Sequence, residues 1–329
     1  MVKSPRKKSE AVYCHPVFLP KNAFIGLIAP AGPVVEENIY EWLKIFTDPD
    51  INFHPPMYPC EPVHGYLANS DKVRLEGLLE EVKVFLPDAL LAIRGGYGCM
   101  RLLQDLKNHW RSIPPKLPII GFSDITALHL ARFALTSIGG WHAATLNAIN
   151  RQGLIWGEND FKVIFGGSTA GWNFERDQIL YAGEAIGPLM GGNLTLLSQL
   201  WGSEFCPSLS GYLVLLEDTD EAPYAIDRNL TALALKGAWE GVLGVVFGEF
   251  TNCSEPEMLV EVFGEFAQRL RVPVAMGAPF GHGKRNSPWF YGEKGILKLE
   301  EISHLNEKTK LKKGTLTFPW REAGDLSKI

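Results

Sequence analysis

Ile119-Ile120-Gly121-Phe122-Ser123-Asp124-Ile125-Thr126 is an apolar run that turns through a glycine and a serine straight into a helical pattern, Ile125 to Leu135. A serine at such a corner is lifted out of the sheet with a helix N-terminus behind it, the geometry of a nucleophile elbow. The same residues also fit a plain helix start in which Ser123 or Asp124 caps the first turn. The GxSxG pattern fails at its last position, where Ile125 replaces glycine. Both readings place the end of a strand at Gly121 and the start of a helix just beyond it.

The pattern repeats upstream. Phe24 to Ala29 is a short apolar run closed by Pro30-Ala31-Gly32-Pro33, and Ala89 to Ile93 is another, closed by Arg94-Gly95-Gly96-Tyr97-Gly98. Between them, Ile39, Trp42, Leu43 and Phe46 fall at i, i+3, i+4 and i+7, and Leu75, Leu78, Leu79 and Val82 repeat that spacing after Asn69-Ser70-Asp71, a capping cluster. Leu102, Leu103 and Leu106 mark one more helix. Fully apolar strands alternating with helices predict an α/β fold with a parallel sheet covered on both faces. Ligands of such sheets sit beyond the carboxyl ends of the strands, so the loops after Ala29, Ile93 and Gly121 are where chemistry is expected.

From about residue 151 to 185 the rhythm fades into Gly, Asn, Ser and Trp. Beyond it Tyr212 to Leu216, Gly241 to Phe250, Val272 to Met276 and Gly295 to Leu299 read as short strands between Gly/Pro-rich turns, with one or two helices, one of them after Asn193. The expected organisation is a flexible N-terminal tail (1–20), a sheet domain carrying Ser123 (21–165), a connection (166–186), a smaller strand-rich, barrel-like domain (187–320) and a short tail (321–329).

Composition narrows the function classes. In 329 residues, 46% are apolar and 21% charged, and the net charge is -5. A packed core is expected, and no global basic field exists to bind nucleic acid. No run of about 18 apolar residues occurs, so no membrane span is predicted. Lys3, Arg6, Lys7 and Lys8 imitate the start of a signal peptide, but Tyr13-Cys14-His15-Pro16 breaks the stretch that would have to follow, which points to a cytoplasmic protein. The five cysteines are scattered without CxxC or Cys/His spacing, against a disulfide framework or structural zinc.

Two further segments complete a chemical inventory. Leu215-Leu216-Glu217-Asp218 ends a strand in adjacent carboxylates, and Pro279-Phe280-Gly281-His282-Gly283 sets a histidine between glycines, where its ring has little steric cover. Ser123, His282 and Glu217 would supply a hydroxyl to attack, an imidazole to take its proton and a carboxylate to orient the imidazole. The alternative for His282 is a structural or solvent-exposed ring, and Asp218 competes with Glu217. Asn193, after Gly191-Gly192, caps the next helix or reaches substrate. Asp227 and Arg228 read as an inward ion pair, and His129 as packing.

GLIAPAGP (26–33), RGGYG followed by Arg101 (94–101), GFSDIT (121–126), GGNL (191–194), LED (216–218), YAIDR (224–228) and GH (281–282) stand in one order that resembles the LD-carboxypeptidases, the serine-peptidase family of the muramoyltetrapeptide carboxypeptidases. The resemblance runs from about residue 20 to 320. It implies a flavodoxin-like N-terminal domain joined to a barrel-like C-terminal one, with Ser123 as nucleophile, Glu217 and His282 as its partners, and the triad assembled between domains. It also implies removal of terminal D-alanine from cell-wall tetrapeptides during cytoplasmic murein recycling, by a homodimer that needs no metal or other cofactor. The amide of Asp124 and the Gly95-Gly96 turn are then the candidate oxyanion hole. Arg94 either grips a substrate carboxylate or forms a structural ion pair with Asp124 or another acid, and Tyr97 either walls the pocket or packs in the core. His142-Ala143-Ala144, where relatives often carry His-Gly-Pro, and Leu67 to Asp71 depart from the family pattern. A sister branch of the family cleaves acyl-sulfamoyl-adenylates, for which Trp172 and Trp289 are candidate nucleotide contacts. An ordinary α/β-hydrolase esterase and a non-catalytic muropeptide-binding module are the remaining alternatives.

Overall fold

The computed structural model describes residues 11–46, 50–150, 162–166, 171–303 and 310–321. Strands β1 (Phe24–Ile28), β2 (Asn52–His54), β3 (Ala89–Ala92), β4 (Ile119–Gly121) and β5 (Trp141–His142) run parallel in the order β2-β1-β3-β4-β5, a flavodoxin-like order. The four residues of β3 are fully buried, as a strand covered on both faces must be. Helices α1 (Glu36–Leu43), α2 (Asp71–Glu80), α3 (Cys99–Leu106), α4 (Thr126–Thr136) and the short α5 (Leu146–Ile149) belong to this part of the chain. Ser70 caps α2 by accepting the Val73 amide, as the Asn-Ser-Asp cluster predicts.

The second sheet draws on β6 (Gly171–Phe174), β7 (Ile179–Tyr181), β8 (Gly183–Asn193), β9 (Leu213–Thr219), β10 (Gly244–Thr251) and β11 (Val274–Ala275). The short β12 (Trp289–Phe290) then leaves for the first sheet, and β13 (Lys294–Ser303) and β14 (Lys310–Thr317) return to the second. Its order is β6-β14-β13-β8-β9-β10-β11-β7, parallel from β8 to β11 and antiparallel at both flanks. The sheet curls until β14 approaches β7, where a Cβ built on Gly314 would lie 3.2 Å from Ile179 Cδ1. The result is a nearly closed, barrel-like sheet.

The described residues carry three substantial helices in this half where the sequence suggests one or two: α6 (Leu194–Leu200), α7 (Pro223–Leu235) and α8 (Pro256–Leu270). Both unexpected helices open on proline, whose fixed φ suits a first helical position that needs no N–H donor. The buried Leu259, Phe263 and Ala267 of α8 sit at i, i+4 and i+8, a helical stripe in a stretch read only for its turns.

Three boundaries also differ from expectation. Residues 11–20, expected as a loose tail, are tied to both halves: Val12 N donates to Tyr212 Oη, Cys14 N to Gly292 O and Leu19 N to Ile164 O, and Trp141 Nε1 donates to Val17 O, each at 2.8 Å. Leu19 is buried beside them, so this segment fills core space and satisfies its backbone there. Residues 1–10 lie outside the described residues. Residues 171–186, expected as a connection, form β6, β7 and the start of β8. Arg321, expected to open a tail, is buried and its guanidinium donates to Glu293. Through β12, antiparallel to β5 with Trp289 opposite His142, the C-terminal half also supplies the edge strand of the N-terminal sheet. No helix among the described residues is long and apolar enough to cross a membrane.

Candidate active site

After β4 ends at Gly121 the chain stays extended at Phe122 and then turns sharply. Ser123 has φ 61°, a left-handed backbone that a residue with a Cβ adopts only under strain. One 3₁₀ turn, Ser123–Ile125, leads into α4. Gly121 permits the tightness, since a Cβ there would press to 2.9 Å on Ile125 Cγ1. The capping alternative does not describe this corner. Neither the turn nor α4 has a side-chain cap at its N-terminal residue, and Asp124 instead accepts the Cys99 amide at 2.8 Å, holding the start of α3. Burial pushes the Asp124 carboxyl up, while the hydrogen bonds from Cys99 pull it down.

The loop after β3 leans on this turn. A Cβ on Gly95 would stand 2.9 Å from Ser123 Cβ and Oγ and 3.5 Å from Asp124 N, so only glycine lets the two backbones approach this closely. The loop after β1 braces it from behind: Gly32 N donates to Gly95 O at 3.1 Å, and Arg94 Nη1 donates to Pro33 O at 2.9 Å. Three strand-end loops therefore meet around Ser123. Arg94 makes no ion pair with Asp124; its half-buried guanidinium lies beside Gly32. Tyr97 is 45% exposed, with its ring 5.9 Å from that of Tyr66, and so stands at the rim and not in the core.

Glu217 and His282 meet. His282 Nδ1 lies 2.6 Å from Glu217 Oε2, and the Glu217 side chain is fully buried. An ionised carboxylate there makes Nδ1 the protonated ring nitrogen and leaves Nε2 to act as base. The His282 ring packs against Phe122, the residue before the candidate nucleophile, with centroids 4.6 Å apart. Gly281, at φ 123°, lets its loop cross Glu217, where a Cβ would come within 2.9 Å of Glu217 Cβ.

The neighbouring carboxylate does other work. Asp218 accepts from Asn193 Nδ2, Thr195 N, Thr195 Oγ1 and Thr219 N, and burial followed by the charge of Glu217 raises its pKa to about 6. The competition between the two acids resolves to Glu217 as the partner of His282. Asn193 caps α6, its Oδ1 accepting from Leu196 N, and its Nδ2 donates to Asp218.

Residues 25–143 match the LD-carboxypeptidase N-terminal domain and residues 186–297 the LD-carboxypeptidase C-terminal domain. The chain belongs to the LD-carboxypeptidase family. It is a serine-type carboxypeptidase. It is 33% identical to a putative carboxypeptidase of Streptomyces coelicolor over 81% of this chain and 87% of that one. It is 31% identical to the murein tetrapeptide carboxypeptidase of Pseudomonas aeruginosa over 84% and 94%. Its fold resembles that of an MccF-like protein from Bacillus anthracis, with a TM-score of 0.75 at 22% identity, covering 92% of this chain and 99% of the other.

Behind the site of this LD-carboxypeptidase lies a wall of rings. His142 is fully buried, stacked 4.8 Å from Trp289 and edge-on to Phe122 at 5.8 Å, and burial holds its imidazole well below the ordinary range. His129 is packing, as expected: its Nε2 meets Gly121 O at 3.0 Å, and burial lowers its pKa to about 4. Trp172 and Trp289 are corrected as nucleotide contacts. Both are core residues, 5% and 0% exposed, with Trp172 stacked on Phe280. Asp227 and Arg228 are not an inward pair either: both are exposed, Asp227 accepting from Thr231 Oγ1 and Arg228 lying over Tyr224. Sequence reading missed the packing of Phe122 on His282 and the Asp124 tie to α3. The serine's own neighbours carried both, but nothing local says what a buried side chain will touch.

Proposed function

We propose that this LD-carboxypeptidase releases the terminal D-alanine of murein-derived tetrapeptides in cell-wall recycling, acting in the cytoplasm as a homodimer with a Ser123–His282–Glu217 triad. The observation that carries the reading is the 2.6 Å contact of His282 Nδ1 with the buried Glu217, with the His282 ring packed on Phe122, the residue before a serine held at φ 61°. Support for the substrate comes from relatives such as the Pseudomonas aeruginosa murein tetrapeptide carboxypeptidase.

In this mechanism His282 Nε2 takes the Ser123 hydroxyl proton as Oγ bonds to the scissile carbonyl carbon. The donors suited to the developing oxyanion are the amides of Asp124 and of the Gly95-Gly96 turn, backbone dipoles fixed by the fold. Imidazolium formed at His282 faces the Glu217 carboxylate. It returns its proton to the departing amine, the C–N bond breaks and D-alanine leaves. Water then attacks the acyl-serine with His282 again as base, and the carboxylate product and free Ser123 hydroxyl result. Arg94 is suited to fork a substrate carboxylate at the mouth, and Tyr97 forms its exposed wall.

Mass spectrometry of a tetrapeptide ending in D-alanine, mixed with the wild type or with Ser123→Ala, tests this. Loss of one alanine with the wild type alone is expected. Turnover by Ser123→Ala would overturn the nucleophile, and no loss from any tetrapeptide, with cleavage of an acyl-sulfamoyl-adenylate instead, would replace the substrate.

A further inference from the structure

His282 sits in a loop, residues 279–287, that has no regular structure of its own apart from a single bridge of Gly281 to Glu249. A base on such a loop needs an external brace to hold its ring to within a few tenths of an ångström. Part of the brace is internal: Ser287 N donates to Pro279 O at 2.7 Å, and Gly281 N donates to Asn286 Oδ1 at 3.2 Å. The rest comes from β10.

β10 runs beside β9 with Phe247 opposite Leu216 and Phe250 opposite Asp218, so Gly248 and Glu249 together face Glu217 across a bulge. A bulge turns a side chain out of its regular direction. Here the backbone of Glu249 joins the histidine loop, its N–H donating to Phe280 O at 2.8 Å. Its half-buried carboxylate lies against this loop, near the backbone amides of Lys284 and Arg285, whose side chains are exposed. Gly283 lies directly on that carboxylate: a Cβ there would fall 1.1 Å from Glu249 Oε2. Burial raises the Glu249 carboxyl, and the two amides and the charges of Arg285 and Lys284 pull it back. β9 thus places Glu217 against the ring of His282, and the bulged β10 places Glu249 against the backbone of the same loop.

We propose that Glu249 is a positioning residue for the reaction: its carboxylate, seated against the backbone at Gly283, fixes the histidine loop so that His282 stays aligned between Glu217 and Ser123. Glycine at 283 is its necessary complement, because any side chain would evict the carboxylate. The inference rests on the proposed triad and goes beyond it by assigning the residue that holds its base.

The test is steady-state kinetics of D-alanine release by Glu249→Ala, Glu249→Gln and Gly283→Ala, with His282→Ala as reference. Glu249→Ala is expected to lower kcat by about 10- to 100-fold, by analogy with residues that orient a metal-ligating histidine, with KM little changed. Glu249→Gln keeps the shape of the side chain and an oxygen acceptor against the loop, and is expected to recover most of the loss. Gly283→Ala, which leaves residue 249 intact, is expected to reproduce the defect of Glu249→Ala. The far-downfield proton resonance of His282 Nδ1–H on Glu217 should broaden in Glu249→Ala and persist in Glu249→Gln. If Glu249→Ala loses thermal stability but keeps wild-type kcat and that resonance, the residue is only structural and the proposal is wrong. Should Glu249→Ala fail to fold, Gly283→Ala with wild-type kcat would overturn it equally. Activity retained by His282→Ala would instead overturn the triad itself, which separates the two failures.

Discussion

The corner that carries Ser123 and the loop that carries His282 solve the same problem, holding one side chain still, by opposite means. The serine turn is local: a strand, one strained residue and a helix follow each other within eight positions, 119 to 126, and the strain at φ 61° is held by β4 on one side and α4 on the other. The histidine loop has neither strand nor helix to hold it and is fastened by residues 30 to 70 positions away, Glu249 and Glu217. Local encoding gives a nucleophile whose placement survives most distant changes. Remote encoding gives a base whose placement depends on how two strands of the other sheet are registered.

The largest expected effect tests the local half. Ser123→Ala is expected to lower kcat by about 10⁶-fold, as in other serine triads. Its melting temperature should stay near that of the wild type, because alanine meets the same left-handed backbone penalty as serine. A large fall in melting temperature would show that the hydroxyl itself holds the turn, and the contrast with the histidine loop would weaken.

Glu217→Gln tests the remote half. It keeps shape but loses the charge that orients and stabilises His282, and by analogy with the acid of a Ser-His-Asp triad it should lower kcat by about 10⁴-fold. The value is read from kcat for D-alanine release. A loss below tenfold would place the orientation of His282 elsewhere than in Glu217.

Gly95→Ala probes the seam between neighbouring strand-end loops. Its Cβ would press to 2.9 Å on Ser123 Oγ, and a displacement of a few tenths of an ångström to an ångström at a reacting atom lowers kcat by up to roughly 10²-fold. Crystallography of the variant should show Ser123 or the Gly95-Gly96 loop displaced. Wild-type kcat with unmoved Ser123 would mean the approach is not a constraint.

The smallest effect is a difference in pH response between the two regions. His129, beneath the serine turn, has a folded pKa of about 4 against an ordinary 6.5, so the unfolded chain takes up its proton first and stability is lost as pH falls from about 6.5 to about 4. The loss is up to roughly 3 kcal/mol for this group. Asp218, beside Glu217, has a folded pKa of about 6 against an ordinary carboxylate near 4, so its contribution runs the other way and stability rises over nearly the same fall in pH. In chemical denaturation between pH 7 and 4, His129→Gln should lose less stability than the wild type and Asp218→Asn should lose more. Identical slopes in all three proteins would remove the distinction.

What could be read in advance follows the same division. The parallel strands β1, β3 and β4 are short apolar runs bounded by glycine or proline, and their helices carry apolar stripes, so the α/β class and the loops around Ser123 were legible. Helices α7 and α8 were not, because their stripes were masked by turn residues and their opening prolines read as breakers. The strand β12, two residues long, was invisible: nothing in Trp289-Phe290 says that it will pair with β5, some 150 residues earlier in the chain. The roles of Asn193 and Asp218 were open in the sequence because an amide or carboxylate is defined by its partners, and those partners are 23 to 25 residues apart.

By itself the sequence determined which residue types were available, a serine at a strand–helix corner, a carboxylate at a strand end and a histidine between glycines, because local sterics and hydrophobic periodicity act over a few residues. Only the tertiary structure decided that Glu217 and not Asp218 faces His282, that Asn193 is a cap, and that Glu249 lies under the histidine loop. Those outcomes depend on register across β8, β9 and β10, and one residue of slip would turn each side chain to the opposite face.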